Sequence, residues 1–150
     1  DMRLEDKSSV LEMMRVFYAS PAVFSNGSDE IFLNDIENCI NNSPYLEGYV
    51  IENSTDIQGY AMIAKSFSTE FGKPCIWIED LYIKEEYRGC GIGKAAMLAI
   101  IERMKSLGYC KITGSEVFKW NIASQKLHEG LGFQRIGEEG DSYIYELTLN

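Results

Sequence analysis

The sequence predicts an α/β fold: a mixed, largely antiparallel sheet of six or seven strands, with about four helices on its two faces. Three observations predict it. Apolar residues recur with a period of two in some stretches and near 3.6 in others. Short polar turns separate alternating segments, as in hairpins. A glycine-rich junction, Arg88-Gly89-Cys90-Gly91-Ile92-Gly93-Lys94, joins an apolar strand to a long helix.

The elements follow in order. Residues 2–5 read as a first strand. Asp6 stands where a cap belongs for a helix over 7–19, whose apolar face holds Val10, Leu11, Met14 and Phe17. Ser20-Pro21 breaks that helix, and Ser25-Asn26-Gly27-Ser28 leads to a second over about 29–41. Residues 47–53 and 57–68 alternate on either side of Ser54-Thr55-Asp56, as hairpin strands do. Phe71-Gly72-Lys73-Pro74 turns the chain into a fourth strand, apolar over 76–83. Met97, Ile100, Ile101, Met104 and Leu107 mark a helix over 95–107. A fifth strand over 110–117, a helix starting at Asn121, and a closing hairpin of 134–138 with 142–148 complete the chain. No repeat, low-complexity tract or linker divides the 150 residues, so a single domain, 1–150, is expected.

Composition narrows the function. An apolar content of 45% with three prolines predicts a packed globule. No apolar run is long enough to span a membrane, and the opening residues do not form a signal peptide. Asp1, ahead of Met2, reads as foreign to the natural chain. Four scattered cysteines and one histidine give neither zinc spacing nor a disulfide framework, so no metal is expected and a reducing, cytoplasmic setting is. The net charge of −9 counts against nucleic acid as partner. It favours a cationic partner, unless the surplus carboxylates serve solubility alone.

The junction is the main chemical clue. Three glycines within five residues let the main chain turn tightly with its N–H groups bare. The helix that follows adds unpaired N–H donors and the positive end of its dipole, which suits a phosphate or diphosphate. It is not a P-loop: three residues separate Gly89 from Gly93, and Ala95 replaces the magnesium-binding Ser or Thr. Nor is it the dinucleotide fingerprint, whose third glycine is here Lys94. Its alternative is a glycine-rich helix start that holds no ligand.

What remains, R-x-x-G-x-G from Arg88 to Gly93, resembles the acetyl-CoA diphosphate loop of the GNAT N-acetyltransferase superfamily. A second segment strengthens the resemblance. Asn121, Ser124, Leu127, Gly132 and Phe133 match the helix that follows the family's fifth strand, with His128 where Tyr is usual. Trp77-Ile78-Glu79-Asp80-Leu81-Tyr82-Ile83 is similar to the branch containing the diamine (spermidine/spermine) acetyltransferases.

The resemblance implies a sheet whose fourth and fifth strands splay, with acetyl-CoA as co-substrate in the gap. Arg88, Gly89, Cys90, Gly91, Ile92, Gly93 and Lys94 would hold its diphosphate. Main-chain groups of Leu81, Tyr82 and Ile83 would bind the pantetheine, with Asn121 and Ser124 facing it near the thiol. The acceptor would be a small-molecule amine or a protein amino group, and a homodimer is among the expected assemblies. The amine, with a pKa of ~10.4 if it resembles Lys, must lose a proton before it attacks. Glu79 is the candidate base, or else a sheet carboxylate paired to a nearby cation. An N–H near Leu81 would face the developing oxyanion. His128 would be the acid that protonates the leaving thiolate, or else a structural residue, with Tyr143 or Tyr145 as substitutes. The contrasting reading is a non-catalytic acyl-CoA-binding module. Acceptor contacts are expected from the first two helices, the loop around Phe24 to Ser28, and the last hairpin.

Overall fold

The computed structural model describes residues 1–23 and 27–149. Among the described residues four helices, α1 (Lys7–Tyr18), α2 (Asp29–Ile40), α3 (Ile92–Ser106) and α4 (Ile122–Gly130), accompany six strands. These are β1 (Leu46–Glu52), β2 (Ile57–Ser68), β3 (Lys73–Ile83), β4 (Lys111–Phe118), β5 (Gln134–Glu139) and β6 (Ser142–Thr148). They form one sheet in the order β1-β2-β3-β4-β6-β5. β4 runs parallel to β3, whereas β1–β2, β4–β6 and β5–β6 pair antiparallel. The parallel ladder pairs Ile76 with Ile112 and Trp77 with Thr113. Chain contacts group the residues into two compact units, Asp1–Ala64 with Glu79–Cys90, and Lys65–Ile78 with Gly91–Asn150.

In the first unit, helices α1 and α2 bury their apolar stripes against the β1–β2 hairpin. Val10, Met13 and Met14 of α1 and Phe32, Ile36 and Cys39 of α2 join Tyr60, Met62 and Tyr82 in one cluster. The α2 spacing of four and then three is the stripe a helix presents to a core. Ser28 caps α2, its Oγ accepting from the Ile31 N–H at 3.4 Å. The β1–β2 turn closes on Asn53, whose Oδ1 accepts from the main-chain N–H groups of Thr55 and Asp56.

Two expectations fail here. Residues 2–5 form no strand: Met2 makes one main-chain bond, to the Gly48 carbonyl, and Leu4–Asp6 wind into a 3₁₀ turn. Asp6 does not cap α1 either. Its buried carboxylate turns back and accepts from the Arg3 main-chain N–H at 2.8 Å, closing the 3₁₀ turn instead. The predicted fourth and fifth strands are therefore β3 and β4. Of the predicted loop, Phe24, Ser25 and Asn26 lie outside the described residues.

In the second unit, α3 begins at Ile92, three residues ahead of its predicted start, and buries Met97, Ile100, Ile101 and Met104. Leu107 ends the helix as its cap residue and is exposed. β4 shifts register between Ile112 and Ser115, with Gly114 left-handed at φ +66° between them. A Cβ at Gly114 would lie 2.0 Å from the Trp77 ring. Gly114→Ala is thus expected to displace the partly exposed indole and cost about 1–2 kcal/mol through the left-handed backbone alone. Urea denaturation with tryptophan fluorescence checks this; an unchanged midpoint and spectrum would contradict it.

Candidate active site

The glycine junction forms the local structure its sequence predicts. After β3, residues Glu85–Tyr87 make a single 3₁₀ turn, with the Arg88 N–H donating to the Glu85 carbonyl at 3.1 Å. Gly89 and Gly91 are both left-handed, at φ +78° and +79°. Among the described residues, and its own chain neighbours aside, a Cβ at either would meet no atom within 4 Å, so conformation, and not crowding, calls for glycine there. Gly91 is the N-cap of α3 and brings no side chain to its first turn. The first N–H groups of α3, at Ile92, Gly93 and Lys94, therefore lack a side-chain cap, and the Lys94 side chain beside them is exposed. This combination of bare donors, dipole and adjacent cation fits a diphosphate. Cys90 is exposed and carries a free thiol.

Arg88 takes a partly different part from the one its motif suggests. Its Nε donates to the Ile83 carbonyl at 2.8 Å, and its guanidinium stands 5.5 Å from the Tyr82 ring centre. It thereby ties the start of the loop to the end of β3. The Tyr82 carbonyl faces β2, since a Cβ on Gly59 would lie 2.2 Å from it. Successive strand residues direct their main-chain groups to opposite edges, so those of Leu81 and Ile83 point away from β2. Of the three residues expected to offer main-chain groups to a ligand, these two have them at that edge.

Glu79 and Asp80 differ sharply in surroundings, as neighbours on a strand do. Asp80 is 3% exposed and shares the inward face with Ile76 and Tyr82. Its two carboxylate oxygens accept from Tyr18 and Tyr60 hydroxyls, each at 2.7 Å. Burial raises its carboxyl pKa, and the hydrogen bonds from Tyr60 and Tyr18 offset only part of that rise. Glu79 is solvent-exposed on the other face. The protein around it and the Asp80 charge, in that order, raise its carboxyl pKa. Asp35 of α2 is half-buried, and desolvation with the charges of Asp80 and Glu79 pushes it up to about 6. Asp35, Tyr18 and Tyr60 were not among the residues the motifs pointed to. A signal existed: Asp35 interrupts the apolar stripe Phe32, Ile36, Cys39, and Asp80 falls in the inward register of β3.

In the second unit, Asn121 caps α4, its Oδ1 accepting from the Ser124 N–H at 3.2 Å. One turn on, His128 Nδ1 lies 2.8 Å from the Ser124 carbonyl. A carbonyl only accepts, so Nδ1 carries a proton and Nε2 of the neutral ring does not. His128 is 8% exposed, edge-on to Phe133 and over Tyr145, and burial lowers its pKa from the usual histidine value. The Tyr145 hydroxyl donates to Glu129 at 3.1 Å and lies 3.3 Å from an Arg135 nitrogen. Arg135 also covers the Tyr143 ring, 3.6 Å from its centre. Among the described residues no group of three or more His, Cys, Asp or Glu is placed to hold a metal, and no helix is long and apolar enough to cross a membrane.

The Acetyltransferase (GNAT) family matches residues 11–133, and the chain belongs to that family. It is an acetyl-CoA-dependent N-acetyltransferase. Among its relatives is the spermine/spermidine N(1)-acetyltransferase of Bacillus subtilis (strain 168), 29% identical over 116 residues, which are 74% of this chain and 72% of the relative. Among solved structures, the PaiA N-acetyltransferase of Thermoplasma acidophilum, in complex with coenzyme A, superposes with a TM-score of 0.75 at 21% identity. That alignment covers 96% of this chain and 93% of PaiA. YncA of Salmonella typhimurium, with its cofactor acetyl-CoA, gives a TM-score of 0.75 at 19% identity, over 97% of this chain and 90% of YncA.

Proposed function

We propose that the protein acetylates a small cationic amine, with Glu79 as the base that takes the acceptor's proton. The observation that carries the reading is the placement of Glu79, an exposed carboxylate on β3 ahead of the glycine junction, and the surrounding protein and Asp80 raise its pKa. A carboxylate of raised pKa accepts a proton at neutral pH more readily than an ordinary one. The net charge of −9 and the carboxylates of Asp35, Glu79 and Asp80 favour a cationic acceptor, as does the polyamine named for the Bacillus relative.

When bound, acetyl-CoA supplies an acetyl thioester activated toward nitrogen. The chain's own residues would hold it. Main-chain N–H groups of Ile92, Gly93 and Lys94 take the diphosphate, aided by the Lys94 charge. Gly89, Cys90 and Gly91 shape the approach, and Arg88 fixes the loop. Leu81 offers its main-chain groups and Ile83 its N–H at the edge of β3 turned away from β2, with Tyr82 anchoring the strand inward. Asn121 and Ser124 present the start of α4.

The geometry of His128 limits its part as acid. The neutral buried ring has no proton on Nε2, and it can give one only after protonation, which burial disfavours. An acid role would therefore fade as pH rises through a pKa below the usual histidine value. His128→Phe is expected to lower turnover by less than about tenfold at pH 7.5, measured as thiol release. A loss of a hundredfold or more, the size of a general acid's contribution, would return that role to His128.

The test is calorimetry with acetyl-CoA followed by thiol release with spermidine, a short diamine and a peptide with a free amino terminus. Binding with turnover on the small amines is expected. Binding without turnover on any amine would favour a non-catalytic acyl-CoA-binding module, and preferential turnover of the peptide would overturn the small-amine reading.

A further inference from the structure

Asp80 is an unusual residue for the inward face of a strand. Its carboxylate is buried, 3% exposed, yet both its oxygens are bonded. The two donors come from separate elements: Tyr18 from the last turn of α1 and Tyr60 from β2. A buried carboxylate with one hydroxyl on each oxygen is held in a single orientation, and such donors favour its ionised form. A core that needed only packing would hold an apolar side chain there at lower cost. The arrangement retains a charge one peptide away from Glu79.

We propose that Tyr18 and Tyr60 are positioning residues: they fix an ionised Asp80 beside Glu79, and this fixed charge sets the pH at which Glu79 works as base. The inference rests on Glu79 being the base. Glu79 lies on the face of β3 opposite Asp80, and the titratable groups that its charge reaches are Asp80 on its own strand, Tyr18 of α1 and Asp35 of α2, while Tyr60 of β2 bonds Asp80. Tyr18 and Tyr60 are themselves held protonated, first by burial and then by the Asp80 charge, so they remain donors across the working range.

The sign follows. A negative neighbour disfavours a second negative charge, so ionised Asp80 raises the Glu79 pKa. Removing a hydroxyl that stabilises the Asp80 anion raises the Asp80 pKa and leaves it more often neutral. Glu79 then deprotonates at lower pH, and the rising acidic limb of the kcat/KM profile moves to lower pH.

The experiment is a pH profile of acetyl transfer to spermidine for the intact chain and for Tyr18→Phe, Tyr60→Phe, the double variant and Asp80→Asn, paired with carbon-13 titration of the Glu carboxyls. Asp80→Asn keeps the shape and removes the charge. A downward displacement of the limb by about one pH unit in Asp80→Asn, and a smaller one in each tyrosine variant, is expected, with the Glu79 resonance moving alike. A merely structural role would lower rates at all pH values and leave the limb in place, and that result overturns the proposal. Should a tyrosine variant unfold, Asp80→Asn and the carboxyl titration still decide it. Glu79→Gln separates the two readings. If the limb survives Glu79→Gln and vanishes in Asp35→Asn, Glu79 is not the base. If it vanishes in Glu79→Gln but stands still in the other variants, the base reading holds and the positioning role fails.

Discussion

Glu79→Gln is expected to lower kcat/KM for an amine acceptor by about a hundredfold or more at pH 7.5, within the range of a general base. Its coenzyme A affinity should change by less than about threefold, because a solvent-exposed side chain on β3 is replaced by one of the same shape. The pH dependence carries the sign. Glu79 must be ionised to accept a proton, and its pKa is raised by the surrounding protein and by Asp80. Activity of the intact chain thus rises with pH through that raised value and approaches a plateau above it. The Gln variant has no such limb. Its rate should keep climbing toward the acceptor's own pKa of ~10.4, where the amine frees its lone pair unaided. Steady-state thiol release between pH 6 and 10 checks both features. Equal losses at every pH would contradict the base role.

The second large effect belongs to Gly91. Its φ of +79° is one that β-branched side chains avoid, and it sets the first N–H groups of α3 facing outward. Gly91→Val is expected to weaken coenzyme A binding by at least about tenfold in calorimetry, through a rotated helix start and an obstructed approach. Gly91→Asn distinguishes the two causes. Asn tolerates the left-handed region, and among the described residues none but its chain neighbours lies within 4 Å of a Cβ there, so the fold should survive in circular dichroism. Loss of affinity with the fold intact points to the bound ligand as what needs the space. Unchanged affinity in both variants would remove the junction from the cofactor site.

Much of this could be read before any coordinates. Helix α2, the β1–β2 hairpin and the β5–β6 hairpin lie within a residue or two of their predicted limits, because stripe, turn and alternation agreed there. The junction was legible for a stronger reason: glycine at Gly89 and Gly91 is demanded by the backbone itself. The first strand was misread because four residues with two apolar side chains fit a strand as well as a turn. The bond from Asp6 back to Arg3 decides between them. Asp80 shows the other limit. That it would be held by Tyr18, 62 residues away, is a tertiary fact. His128 carries the same lesson, since its neutral tautomer follows from one carbonyl that only the folded helix supplies.

The most direct measurement is a crystal structure with coenzyme A bound. Diphosphate oxygens are expected within hydrogen-bonding distance of the main-chain nitrogens at Ile92, Gly93 and Lys94, with Gly89 and Gly91 still left-handed. A diphosphate bound elsewhere, or one held by side chains with those nitrogens facing solvent, would contradict the assignment of the glycine junction and the chemistry built upon it.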